Sequence, residues 1–250
     1  MSFWSGWGWP AATAVIGFVY VGLLLAQWNR RRKPHQLAWA VGFTFYAVAA
    51  AMEFISEYTQ HWDPTVYRIY IVLAASMVGF LGLGTMYLVS KRRVLPTLFL
   101  VYVLGCLAVF FYGTFTTPLL MDALKPGIVV GGAALGSGGS FPRIMSLFFN
   151  IPGTLLLVGG SLYSIILFSK NPAYRYRVWA NVLIIVGTLM IAAAGTMARA
   201  GTTQGLYAGE MVASGVLLAG FLVAGTLERG SKTAVAESRA QRAASESGEA

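Results

Sequence analysis

The sequence predicts an all-α integral membrane protein of seven transmembrane helices, with the amino terminus outside and the carboxyl terminus in the cytoplasm. Three observations carry this. Hydrophobic residues make up 57% of the 250 positions and charged residues 11%, against roughly 45–50% and about 25% in soluble domains. The apolar runs are each about 20 residues long, matching the ~30 Å of hydrocarbon that a helix must cross. The basic residues gather in alternate breaks between those runs.

The spans are expected at 10–29, 36–59, 66–90, 94–117, 143–169, 178–199 and 203–228. Trp4, Trp7 and Trp9 precede the first as an interfacial aromatic belt. Met1 to Pro10 carry no basic cluster and no small-residue cleavage site, so the first span is expected to act as its own insertion signal. Arg30 to Pro34 closes the first span, His61 to Pro64 the second, and Lys91 to Arg93 the third. Pro118 to Pro142 separates the fourth from the fifth, and its Gly131-Gly132 and Gly136-Ser137-Gly138-Gly139 read as flexible loop. Asn171-Pro172 ends the fifth, and a short break near Ala200-Gly201 ends the sixth. Residues 1–229 thus form the transmembrane domain. The Ser-, Ala-, Glu- and Arg-rich stretch 230–250 is expected to be a disordered cytoplasmic tail.

Orientation follows from charge. With the amino terminus outside, fourteen of the eighteen basic residues fall in inner loops and the tail; only Arg68, Lys125, Arg143 and Arg199 lie toward the outside. The net charge of +9 is therefore a topology signal. Dispersed over short loops, it predicts attraction to anionic lipid and no nucleic-acid binding.

Spans one to three and five to seven can be read as two copies of one unit. A shift of about 140 residues lays Pro10 on Pro152, Trp39-Ala40 on Trp179-Ala180, Tyr67 on Tyr207, and Leu83 to Met86 on Ala224 to Leu227. Both copies run in the same direction, with the fourth span as the inverting linker, which is a parallel repeat. Chance matches between apolar segments give the competing explanation. The three-plus-one-plus-three plan is similar to that of the small sugar carriers and PQ-loop proteins. The Pro-Gln dipeptide of the latter is absent, so the likeness is one of architecture.

Charges inside a span are costly and mark candidate sites. Glu53 and Glu210 fall about 9 Å and about 8 Å from the midplane at 1.5 Å per residue, both in the outer leaflet. Tyr46, Glu53 and Glu57 share one helical face, as do Tyr207, Glu210 and Ser214. Arg68, Arg199, Arg143 and Asn150 add polar groups on the outer side; the inner half offers mainly Asn181. The ligand- or ion-binding candidates are Glu53, Glu57, Arg68, Arg199, Glu210, Tyr46 and Asn150. Two readings stand side by side. In one, Glu53 and Glu210 line an outward-facing polar cavity for a proton, a cation or a cationic solute. In the other, they pair with Arg68 and Arg199 and hold spans together. Gly205 with Gly209, and Gly160 with Ser164, are expected to serve helix packing.

Several chemistries are excluded. No lysine falls within a span, so a retinal Schiff base has no anchor. His35 and His61 lie at opposite faces and cannot jointly ligate a haem; no His/Cys cluster suits zinc. The Gly-rich loop lacks the Gly-Lys-Ser/Thr ending of a phosphate loop. Cys106 is the only cysteine, so no internal disulfide forms. No metal, no cofactor and no catalytic residue is expected.

Ala38-Trp39-Ala40 through Phe45-Tyr46-Ala47, then Tyr67 to Tyr70, then Leu83 to Leu88, resemble a group of uncharacterised bacterial multi-span membrane proteins. The resemblance covers the second and third spans, about a fifth of the chain. It implies a bacterial inner-membrane setting and carries no functional residue. The expectation is a non-enzymatic small-solute or ion carrier. The alternative is a membrane sensor, a scaffold or a subunit binding a membrane partner protein. A membrane enzyme comes third.

Overall fold

In the computed structural model, the residues described are 6–124, 132–137, 139–199, 207–220 and 222–223. Among them there is no strand. The helices are α1 (Gly8–Arg31), α2 (Pro34–Thr59), α3 (Pro64–Val89), α4 (Val94–Thr116), α5 (Phe141–Met145), α6 (Leu147–Phe168) and α7 (Arg175–Arg199), followed by α8 (207–220). Six of these units, with α5 and α6 taken as one, are long and apolar enough to cross a membrane. The chain is a membrane-embedded helical protein. The described part of α8 covers about 20 Å at 1.5 Å per residue. The rest of the expected seventh span, and the whole tail 230–250, lie outside the described residues.

The breaks form for local reasons. Arg32 and Gln60 take left-handed backbone conformations (φ 48° and 54°) that end α1 and α2. Pro34 opens α2 and Pro64 opens α3, where a missing N–H leaves no bond unmade. Asp63 caps α3: its carboxylate accepts from the backbone N–H of Thr65 at 2.8 Å and of Val66 at 3.0 Å. These two bonds hold the Asp63 carboxyl below the usual carboxylate range.

One expected helix is two. The span 143–169 divides at Ser146 into α5 and α6, and Pro152 lies inside α6. Proline has no N–H, so the carbonyl four residues earlier, at Phe148, loses its helical partner. Tyr102 on α4 supplies the substitute, donating its hydroxyl to the Phe148 carbonyl at 2.9 Å. In lipid a freed carbonyl needs such a donor from a neighbouring helix.

Between its two glycine stretches, the loop joining α4 to α5 places two apolar residues inside. Ala134 and Leu135 are fully buried, and the Leu120 N–H donates to the Ala134 carbonyl at 2.8 Å. Ala134 and Leu135 join the apolar core, while Ala133 stays exposed. Gly136 makes the exit turn at φ +88°, where a side chain is disfavoured.

The packing runs α1 on α2, α2 on α3, α3 on both α4 and α6, and α6 on α7. α8 lies on α7, with Gly209 against Ala194 and Gly187 against Leu217. α3 is the most enclosed of the six spanning units. Between α3 and α6 the backbones touch: a Cβ on Gly82 would lie 2.8 Å from Gly153 Cα, and one on Gly153 would lie 2.5 Å from the Val78 carbonyl oxygen. Gly160 packs against Thr85, which is a packing role. α4 is peripheral, with Leu98, Val101 and Tyr112 exposed by 61%, 64% and 69%. A row of exposed apolar side chains around buried Glu53, Glu57, Ser76 and Thr85 is the pattern of a helix bundle solvated by lipid.

Candidate functional site

The helices alternate in direction, so their ends sort into two groups. Arg30 to Lys33, Lys91 to Arg93 and Lys170 to Arg177 gather at one end of the bundle. Toward the other end lie the carboxyl-terminal part of α2, the start of α3, the start of α6, the last third of α7 and the start of α8. There they enclose a cavity of about 360 Å³.

Each wall contributes a distinct chemistry. α2 presents Tyr46, Glu53 and the small Ala49 and Ala50; α3 presents Tyr70, Ala74 and Met77. α6 presents Asn150 and Thr154, α7 presents Ile191 and Ala192, and α8 presents Glu210. The helical period places Tyr46, Ala49, Ala50 and Glu53 on one face of α2. Alanines in the lining leave the space that larger side chains would fill.

Glu53, Tyr70 and Glu210 all line this one cavity. The Tyr46 hydroxyl donates to the Glu210 backbone carbonyl at 3.1 Å, joining α2 to α8 across 164 positions of sequence. Among the described residues lining the cavity there is no lysine, arginine or histidine. Two acids thus share an interior space with neutral donors and, among its described lining, no cation.

Four of the seven candidate residues converge here: Tyr46, Glu53, Asn150 and Glu210. Glu57 stands one turn beyond Glu53, buried, and accepts from the Tyr207 hydroxyl at 2.8 Å. Arg68 is elsewhere. Its guanidinium donates to the Thr114 carbonyl and lies 5.9 Å from the centre of the Phe115 ring. Arg199 ends α7, and its side chain lies outside the described residues. Arg143 donates to the Gly136 carbonyl at 3.2 Å, within the loop. Asn181 donates to Ser164 Oγ at 3.0 Å and so links α7 to α6.

Tyr70 and Thr154 were not among the expected site residues. No local signal marks Tyr70, whose place depends on how α3 lies against α2; Thr154 follows Asn150 by four positions and shares its face. Among the described residues no group of three or more His, Cys, Asp or Glu side chains is placed to hold a metal ion. The arrangement can bind a proton or a cation and can orient it with tyrosine, asparagine and threonine oxygens.

Comparison with protein families, with curated proteins and with solved structures finds no match to this chain.

Proposed function

We propose that the protein is a carrier for a cation or a small cationic solute, with its binding site at Glu53 and Glu210. The observation that carries this reading is the shared cavity: two carboxyl groups from distant parts of the chain face one space that no basic side chain of its lining enters. A buried acid that only braced helices would be expected to meet a partner cation. Here the two outer arginines with described side chains, Arg68 and Arg143, bond to the backbone carbonyls of Thr114 and Gly136.

The walls fit the carrier plan. α2 and α3 come from the first half of the proposed repeat, and α6, α7 and α8 from the second. Repeat-built carriers place their sites at the interface between the copies, where one copy can rock against the other. α4, the proposed linker, contributes no lining residue. In this reading α8 is the seventh span, the basic end faces the cytoplasm and the site belongs to the outer half of a bacterial inner membrane.

Purified protein in liposomes with a trapped pH-sensitive dye tests the reading. An imposed gradient of a permeating cation is expected to change the internal pH, and Glu53→Gln and Glu210→Gln to bring the rate down to that of empty liposomes. Both variants should retain the thermal midpoint of the parent within a few degrees. Wild-type vesicles that behave as empty ones would overturn it.

A further inference from the structure

We infer that the ligand is a small organic amine in its protonated form, and that it enters the cavity as one proton leaves the Glu53–Glu210 pair. This deepens the carrier reading and rests on it.

Size points to an organic solute. A bare ion is held by a tight shell of oxygens, whereas about 360 Å³ falls in the range of small-molecule pockets, about 300–1,000 Å³. The lining agrees. Ala74, Met77 and Ile191 offer an apolar wall for a carbon chain, and Tyr46 and Tyr70 bring aromatic rings that favour cations. Asn150 and Thr154 supply neutral acceptors for the ammonium hydrogens that the acids leave over.

Charge balance points to exchange. The groups facing the pair are Tyr46 and Glu57 on α2, Tyr70 on α3, and Tyr207 on α8; the described lining of α6 and α7 adds no titratable side chain. Glu57 is committed to Tyr207. Two carboxyl groups that line one cavity with no basic side chain among its described lining bind one proton between them, because both cannot stay ionised without a counter-charge. The ligand-free pair then carries one negative charge. When an ammonium group enters and the shared proton departs to water, two carboxylates and one cation again sum to one negative charge. No bond other than that O–H is broken. The cavity never has to bear two uncompensated charges in a medium where they are costly.

Calorimetric titration of the full chain in detergent at pH 7, in two buffers of different ionisation enthalpy, tests this. The probes are n-butylammonium chloride and, for comparison, sodium and potassium chloride. The expected result is saturable binding of n-butylammonium with about one proton released per molecule bound. Glu210→Gln should lose the proton release and weaken binding on the order of ten- to a hundredfold. Wild-type protein alone decides the matter if that variant does not fold. Binding of n-butylammonium without proton release overturns the exchange. Binding of sodium or potassium in place of the amine overturns the organic ligand while leaving a cation site standing. No binding by any of the three, and no change of midpoint with pH, removes both this inference and the carrier reading.

Discussion

Tyr207 donates its hydroxyl to the Glu57 carboxyl oxygen at 2.8 Å, tying the last turn of α2 to the first described turn of α8 across 150 positions of sequence. Both side chains are buried. Removing the donor leaves a buried carboxyl oxygen without its bond, a loss of about 1–3 kcal/mol. Tyr207→Phe is therefore expected to lower the midpoint of unfolding in detergent, and Glu57→Gln to lower it less, because an amide oxygen still accepts. Equal effects in the two variants would mean that the bond is not what stabilises this corner.

The Tyr102–Phe148 bond exists because Pro152 cannot make its own. Two substitutions should therefore couple. Tyr102→Phe in the parent is expected to cost about 1 kcal/mol, the range of interhelical hydrogen bonds in membranes. In a Pro152→Ala background the restored N–H can satisfy Phe148, and the same change should cost close to nothing. A double-mutant cycle with additive effects contradicts this account of the proline.

At the α3–α6 crossing, Gly153 meets the Val78 carbonyl, which is backbone and has nowhere to turn. Gly153→Ala is expected to destabilise by about 2 kcal/mol or more through overpacking. It should also weaken ligand binding, since Asn150 and Thr154 are carried by the same turns of α6. Gly159→Ala, where the added methyl meets nothing within 4 Å, is the control.

The Asp63 cap contributes a pH dependence of definite sign. Its carboxyl is held low by the Val66 and Thr65 N–H groups, so the folded state binds a proton less readily than the unfolded one. The cap's contribution is present above the ordinary carboxylate value of about 3.9 and fades as pH falls through the lower folded value. Acid unfolding followed by helical circular dichroism should begin at higher pH in Asp63→Ala than in the parent, with Asp63→Ser in between. An unchanged acid limb in Asp63→Ala would show that the cap does not govern it.

The helices were legible because lipid imposes long apolar runs, and because Arg30–Pro34, Asp63-Pro64 and Lys91–Arg93 interrupt them with charge, caps and proline. The face shared by Tyr46 and Glu53 was legible from helical spacing alone. Partners across helices were not. Nothing local in sequence ties Tyr207 to Glu57, sends Arg68 to Thr114, or gives Phe148 a donor in Tyr102. Tyr70 was missed for the same reason: its importance comes from where α3 lies against α2. The break at Ser146 escaped because apolar content runs unchanged through both α5 and α6.

The most direct test of the Glu53–Glu210 site is a thermal-stability screen of the detergent-purified chain against pH, inorganic cations and small amines, with Glu53→Gln and Glu210→Gln in parallel. A ligand that binds the folded state raises its midpoint by mass action. The account predicts a stabilising cation whose effect disappears in both variants while each still folds. No stabilising ligand, together with marked loss of stability in both variants, would contradict it and make the two acids structural.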